Sequence, residues 1–341
     1  MTTNITLGVT LYSFTNEWIA GRYDLESLLA KVADLGLGPG VELIGFSTIR
    51  SFPDVDADFV RLWRGLLDKY GLVPSSLGSN TDIGMRRDRF LTDEESVDYI
   101  SRQITTAHEL GFPVMRTQIG NSEEAMAEIT RRAERAGVKL GMEVHAPNSG
   151  VSEEVRRVIA LYDRIGSDHL GFIPDFSSTM HSVPGGMLDL YRTAGVPEAA
   201  IARLVEIWRT DGPPQERYRT WADEARANGV SDSAIHRVQI GFSMFGHEPV
   251  SSWRTIADRV VHVHGKFFEI DEATGEEPNM DVAALMAMLV DLDYDGVISS
   301  EWEGHGFRSL DEVDPFELVR RHQALERRGI EAALAAKEAR A

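Results

Sequence analysis

Short apolar runs rich in β-branched residues recur along the chain, and after most of them apolar positions return every three or four residues. The runs lie at residues 5–12, 41–46, 73–79, 114–119, 139–145, 171–176, 260–267 and 296–302. They have the length of buried strands, and the stretches between them have the period of amphipathic helices. Their starts are 36, 32, 41, 25, 32, 89 and 36 residues apart, mostly the spacing of a strand plus a crossover helix. Eight such units predict an α/β fold, a (β/α)8 TIM barrel, over a single domain spanning 1–341.

Helix ends agree with this alternation. Asp24 leads into LESLLAKVADLG, Thr92 into DEESVDYISRQITTAHELG and Ser152 into EEVRRVIALYDRIG, each stretch closed by glycine. A last helix is expected from Pro315 onward. The 89-residue interval stands apart, because it holds VPEAAIARLVEIWRT, GPPQERYRTWADEARANG and IHRVQIGFSMFGHEP. This predicts a mostly helical insertion, residues 177–258, between the sixth and seventh strands. It follows the C-terminal end of a strand and should therefore stand on the catalytic face, as a lid or a docking surface. Trp208, Trp221, Phe242 and Phe245 are expected to pack its interior.

Strand alternation next isolates the candidate chemistry. Residues two apart share a face, which pairs Glu143 with His145, Asp175 with Ser177, His262 with His264 and Lys266, and Glu301 with Glu303. Glu143, Asp175, His264 and Glu301 each fall near the C-terminal end of a run. A barrel interior is normally filled by Val, Ile and Leu, and three buried carboxylates together call for a cation. Oxygen-rich ligation with one imidazole suits Mn²⁺ or Mg²⁺, with Co²⁺, Fe²⁺ or Zn²⁺ also compatible. His145 should face the ligand as a general base, since an imidazole ordinarily titrates near pH ~6.5; its alternative role is a hydrogen bond to a ligand carboxylate. His262 lies a layer deeper and is expected to pack. Lys266, Glu303 and His305 are candidate substrate contacts.

Composition narrows the partners. With 35 basic and 54 acidic residues the net charge is −19, which disfavours nucleic acid as a ligand. The absence of cysteine excludes thiolate ligation. The run ITLGVTLYSF follows directly on Met1 to Asn4, and no apolar stretch approaches a membrane span, so a soluble cytoplasmic protein is expected.

The segments GPGVELIGF, GMEVHAP, IPDFSS, HVHGKF and ALMAMLVDLDYDGVISSEWE resemble the xylose-isomerase-like TIM barrels, which include sugar (phosphate) isomerases, ketose 3-epimerases and apurinic endonucleases. The resemblance implies a metal quartet of Glu143, Asp175, His264 and Glu301. It departs from the epimerases at Ser178, where those usually have histidine, and the chain has fewer strand-end histidines than the multi-zinc endonucleases need. The combination EVHAP, IPDFSSTM, HGKFFEI and SEWEGHG, with the long insertion, is similar to the large (alpha) subunits of bacterial C-glycoside deglycosidases. That likeness implies a divalent metal such as Mn²⁺, a small beta subunit in a hetero-oligomer, and a 3-oxo C-glucoside of an aromatic aglycone as substrate. The expected reaction is carbon–carbon lysis by enolate formation and β-elimination, with His145 as base. The alternatives are a ketose isomerase or 3-epimerase using Glu143 and Glu301 as acid and base, and a catalytically silent barrel with a structural metal. A separate small protein is expected to dock on the insertion.

Overall fold

The computed structural model describes residues 4–340. Eight parallel strands, β1 (Thr6–Thr10), β2 (Gly40–Ile44), β3 (Val73–Gly78), β4 (Val114–Thr117), β5 (Lys139–Val144), β6 (Leu170–Pro174), β7 (Val263–Phe267) and β8 (Val297–Trp302), form one sheet in the order β6-β5-β4-β3-β2-β1-β8-β7. The remaining seam, β6 to β7, is closed by two isolated parallel bridges, Phe172 to Val260 and Asp175 to His264. The result is a barrel. The seventh run is regular strand only from Val263: ahead of it, Val261 N–H reaches the Phe172 carbonyl at 3.0 Å, a single contact that does not extend into a ladder.

The outer layer follows from local signals. Asp24, Thr92 and Ser152 each accept a backbone N–H from the third residue of the following helix, and the first two complete reciprocal capping boxes with Ser27 and Glu95. Gly111 and Gly166 end two of these helices in the left-handed conformation, which glycine adopts without steric cost. The long C-terminal helix Pro315–Arg340 packs along the helix Val282–Asp291 and against β8.

Side-chain alternation on β7 sorts its residues between interior and exterior. His264 and Lys266 point inward; Gly265 and Phe267 point out against the C-terminal helix, where the Phe267 ring stacks on His322 with centroids 4.1 Å apart. A Cβ on Gly265 would lie 2.6 Å from Glu326 Oε1, so this close approach requires glycine.

Between β6 and β7 run four α-helices, Gly185–Thr193, Glu198–Trp208, Pro214–Ala227 and Asp232–Met244. Trp208, Trp221, Phe242 and Phe245 are all buried, and the two indole N–H groups donate to the Phe245 and Ala200 carbonyls at 2.9 and 2.8 Å. The segment is pinned at its base by an antiparallel bridge, Thr179 to His247. Ser178 is turned to the Trp253 indole, whose N–H it accepts at 3.2 Å.

Candidate metal centre and its cavity

Register builds the site. β5 presents Glu143, and the residue just past β6 is Asp175. The bridge from Asp175 to His264 and the pairing of Lys266 with Glu301 set the four strand ends side by side. One ligand atom from each of Glu143, Asp175, His264 and Glu301 lies within 4.8 Å of the others. All but Glu143 are buried, and Glu143 nearly so.

The charges are arranged to be held. Glu143 accepts from His264 Nδ1 at 2.7 Å and from Arg116 Nη1 at 2.8 Å. Burial pushes its carboxyl up, but Arg116 first, then His264 and Lys266, outweigh burial and hold it well below the ordinary range. His264 Nδ1 lies 3.3 Å from Glu301 Oε2, and its Nε2 lies 3.2 Å from Glu42 Oε1. Burial would lower this imidazole; the carboxylates of Glu42, Glu301 and Glu143 instead raise it well above the usual value.

Lys266, only 2% exposed, stands inside the ring of acids. Its Nζ is 2.9 Å from Asp175, 3.0 Å from Glu303 and 3.7 Å from Glu301. Glu301 is pushed up to about 8, chiefly by burial, with Asp175 and Glu303 adding to it and Lys266 and His264 opposing. Asp175 Oδ2, Glu301 Oε2 and Glu303 Oε2 are buried without a directed hydrogen bond. Asp175 Oδ2 and Glu303 Oε2 are ion-paired with Lys266, and Glu301 Oε2 lies 3.3 Å from His264 Nδ1; buried carboxylates converging beside one imidazole form a donor set that fits a divalent metal of the oxygen-preferring kind.

All of these residues except Asp175 line a cavity of about 230 Å³, whose walls are Tyr12, Glu42, Ile44, Phe46, Arg116, Glu143, His145, His264, Lys266, Glu301 and Glu303. None of residues 177–258 is among them. His145 is half-buried and its Nδ1 donates to the Ala146 carbonyl, so Nε2 keeps the lone pair a base needs. His262 sits deeper, its Nε2 3.1 Å from Glu42 and 3.0 Å from Ser299. Of the candidate substrate contacts, Lys266 and Glu303 line the cavity. His305 is not part of its lining; its ring lies edge-on to Tyr12 with centroids 4.7 Å apart.

Three members of the site were not picked out from sequence. Glu42 lies fully inside β2, held below the carboxylate range because His264 and His262 outweigh burial; a charged residue within the apolar run VELI was its available signal. Arg116 comes from β4, where one arginine between Met115 and Thr117 does not reveal which carboxylate it meets. Tyr12 follows β1 in a short 3-10 turn.

A model of the xylose isomerase-like TIM-barrel family matches residues 29–328. A C-glycoside deglycosidase alpha subunit of Arthrobacter globiformis is 42% identical over 333 residues, covering 97% of this chain and 94% of that protein. A 3'-dehydrocarminate deglycosidase alpha subunit of a Microbacterium species is 37% identical, covering 94% of each chain. Among solved structures, D-psicose 3-epimerase of Clostridium cellulolyticum H10 superposes with a TM-score of 0.59 at 11% identity over 95% of this chain and 99% of its own. An L-ribulose 3-epimerase gives 0.56 at 16%, over 98% and 97%. The epimerases share the fold, and the close relatives place the chain within it: it belongs to the C-glycoside deglycosidase alpha subunits of the xylose isomerase-like TIM-barrel family.

Proposed function

We propose that the chain is a divalent-metal-dependent carbon–carbon lyase that cleaves 3-oxo C-glucosides of aromatic aglycones, with Glu143, Asp175, His264 and Glu301 as metal ligands and His145 as general base. The observation carrying this reading is the four-ligand cluster with His145 on the same cavity wall, in a chain whose relatives are deglycosidase subunits. A bound cation, Mn²⁺ first, would supply the positive charge that stabilises an enolate oxygen.

A 3-oxo group acidifies the neighbouring C2 proton. His145 Nε2 accepts a proton, from C2 or from a phenol of the aglycone. In the first case the C2–H electrons form the C1–C2 double bond, the C1–aryl bond breaks, and the aryl carbon keeps its electron pair and is then protonated. Lys266 and Glu303 contact the substrate from the cavity wall, and the Arg116 bond to Glu143 holds that carboxylate in place. The relatives are named alpha subunits, which supports a second, smaller subunit, and we assign its docking to residues 177–258.

The second reading is a sugar isomerase or 3-epimerase with Glu143 and Glu301 as the acid–base pair. It is favoured by one observation, that Glu143 and Glu301 both line the cavity and both stand within reach of His264. Product chromatography decides between the two, since the first releases free aglycone and the second interconverts ketoses.

A further inference from the structure

Beside the acid-lined cavity lies a second one, and it is apolar. The chain leaves β1 through the turn Leu11–Phe14 and the short helix Thr15–Ile19, and leaves β2 through the short helix Gly45–Thr48. Between these segments is a cavity of about 370 Å³ whose walls include Tyr12, Thr15, Trp18, Ile19, Leu28 and Ser47. It has no charged side chain in its lining, whereas most of the first cavity's lining is ionisable.

Two details join the cavities. Tyr12 lines both, and Phe46 of the first is followed directly by Ser47 of the second. The mouth is unusually apolar for surface: Ile19 is 77% and Phe46 50% exposed. Among the described residues the Tyr12 hydroxyl has no hydrogen-bond partner, and a phenol is a donor at neutral pH. A ligand that is polar at one end and an uncharged aromatic at the other fits such a pair of cavities.

We infer that the apolar cavity is the aglycone site: it takes an uncharged aryl group between the Trp18 and Tyr12 side of β1 and the Ser47 side of β2, while the sugar occupies the carboxylate-lined cavity. The inference rests on the deglycosidase reading for what the two halves of the ligand are. Its chemistry is stacking and apolar burial, with Tyr12 donating to an oxygen at the junction. Because the lining holds no cation, a carboxylated aryl group is disfavoured.

The test uses the full chain with Mn²⁺ and two probes, 5,7-dihydroxyflavone and the 3-oxo form of a C-glucosyl flavone. Two variants fill the cavity from positions outside the proposed metal and base residues, Ser47→Trp and Thr15→Trp, so that one misfolding variant does not decide the matter. Flavone binding, followed by fluorescence quenching and saturation-transfer NMR, should weaken at least about tenfold in a folded variant, with Mn²⁺ affinity unchanged and excess glucose failing to displace the flavone. Flavone binding equal to the parent in the folded variants, or displaced by glucose, overturns the inference. Loss of second-subunit association with unchanged flavone binding also overturns it, by assigning the cavity to the subunit. Unchanged KM for C-glucosyl flavone cleavage in both variants defeats the aglycone site while leaving the deglycosidase reading intact. Weakened flavone binding with no cleavage of any C-glucoside by the parent chain leaves an aryl site and defeats that reading instead.

Discussion

His145 and Glu42 illustrate how single side chains divide the work of the site. His145 has its Nδ1 committed to the Ala146 carbonyl, so replacement by alanine removes a base without removing a proposed metal ligand. His145→Ala should lower turnover about 10²- to 10⁴-fold, with Mn²⁺ affinity and thermal midpoint near those of the parent; an undiminished rate would return His145 to a bystander. Glu42 faces the opposite side of His264 from Glu143 and orients that ring. Glu42→Gln should therefore weaken Mn²⁺ binding about 10- to 100-fold, as read by calorimetry, even though Glu42 is not one of the four. Binding equal to the parent would count against an orienting role. The four ligand candidates were legible in the sequence because strand alternation fixes which side chains share a face. Glu42 and Arg116 were not, because the partners of Glu42 lie across the barrel on the β7 run and that of Arg116 on the next strand, at sequence separations no local pattern reports.

At the scale of elements, the strands and capped helices follow closely from apolar period and end signals, and the β6–β7 seam is the place where regular pairing gives out. Outside β8, the C-terminal helix buries Glu326 against Ser300, whose Oγ donates to it at 3.1 Å, with His322 on the same hydroxyl. Burial pushes Glu326 from 4.5 up to about 8. A carboxyl whose folded value exceeds its unfolded one stabilises the fold below about pH 4.5 and loses that contribution as pH rises through about 8. Burial acts oppositely on the proton affinity of His322, lowering it to about 3, so its cost appears only as pH falls below 6.5. Glu326→Gln should match the parent near pH 5 and exceed its thermal midpoint by roughly 2 °C or more at pH 9; an identical pH dependence would mean that Glu326 is already charged in the fold. In the insertion, Ile240 is 51% exposed on the helix Asp232–Met244, an apolar side chain available to a partner. Ile240→Asp should reduce co-elution with the second subunit while leaving the isolated chain's melting unchanged, and full co-elution would move the docking surface elsewhere.

For the whole molecule, the barrel concentrates acid at one end, within a chain already carrying −19. Charge of that sign favours cations and disfavours polyanions, which agrees with a metal at the strand ends and an uncharged substrate beside it. Among the described residues no helix is long and apolar enough to cross a membrane. Eight recurring units were enough to expect the barrel, because one parallel sheet with outer helices is the closed way to bury them. The apolar cavity was invisible at that level: it arises where the short helices after β1 and β2 meet, from residues such as Tyr12, Trp18 and Ser47 that no spacing rule links. The most direct test of the central claim follows aglycone release from a 3-oxo aryl C-glucoside by the EDTA-treated chain, with and without its second subunit, as Mn²⁺ is restored. The account predicts that release disappears on metal removal, returns with Mn²⁺ and fails to return in His145→Ala; release indifferent to EDTA, or ketose interconversion with no aglycone freed, would contradict it.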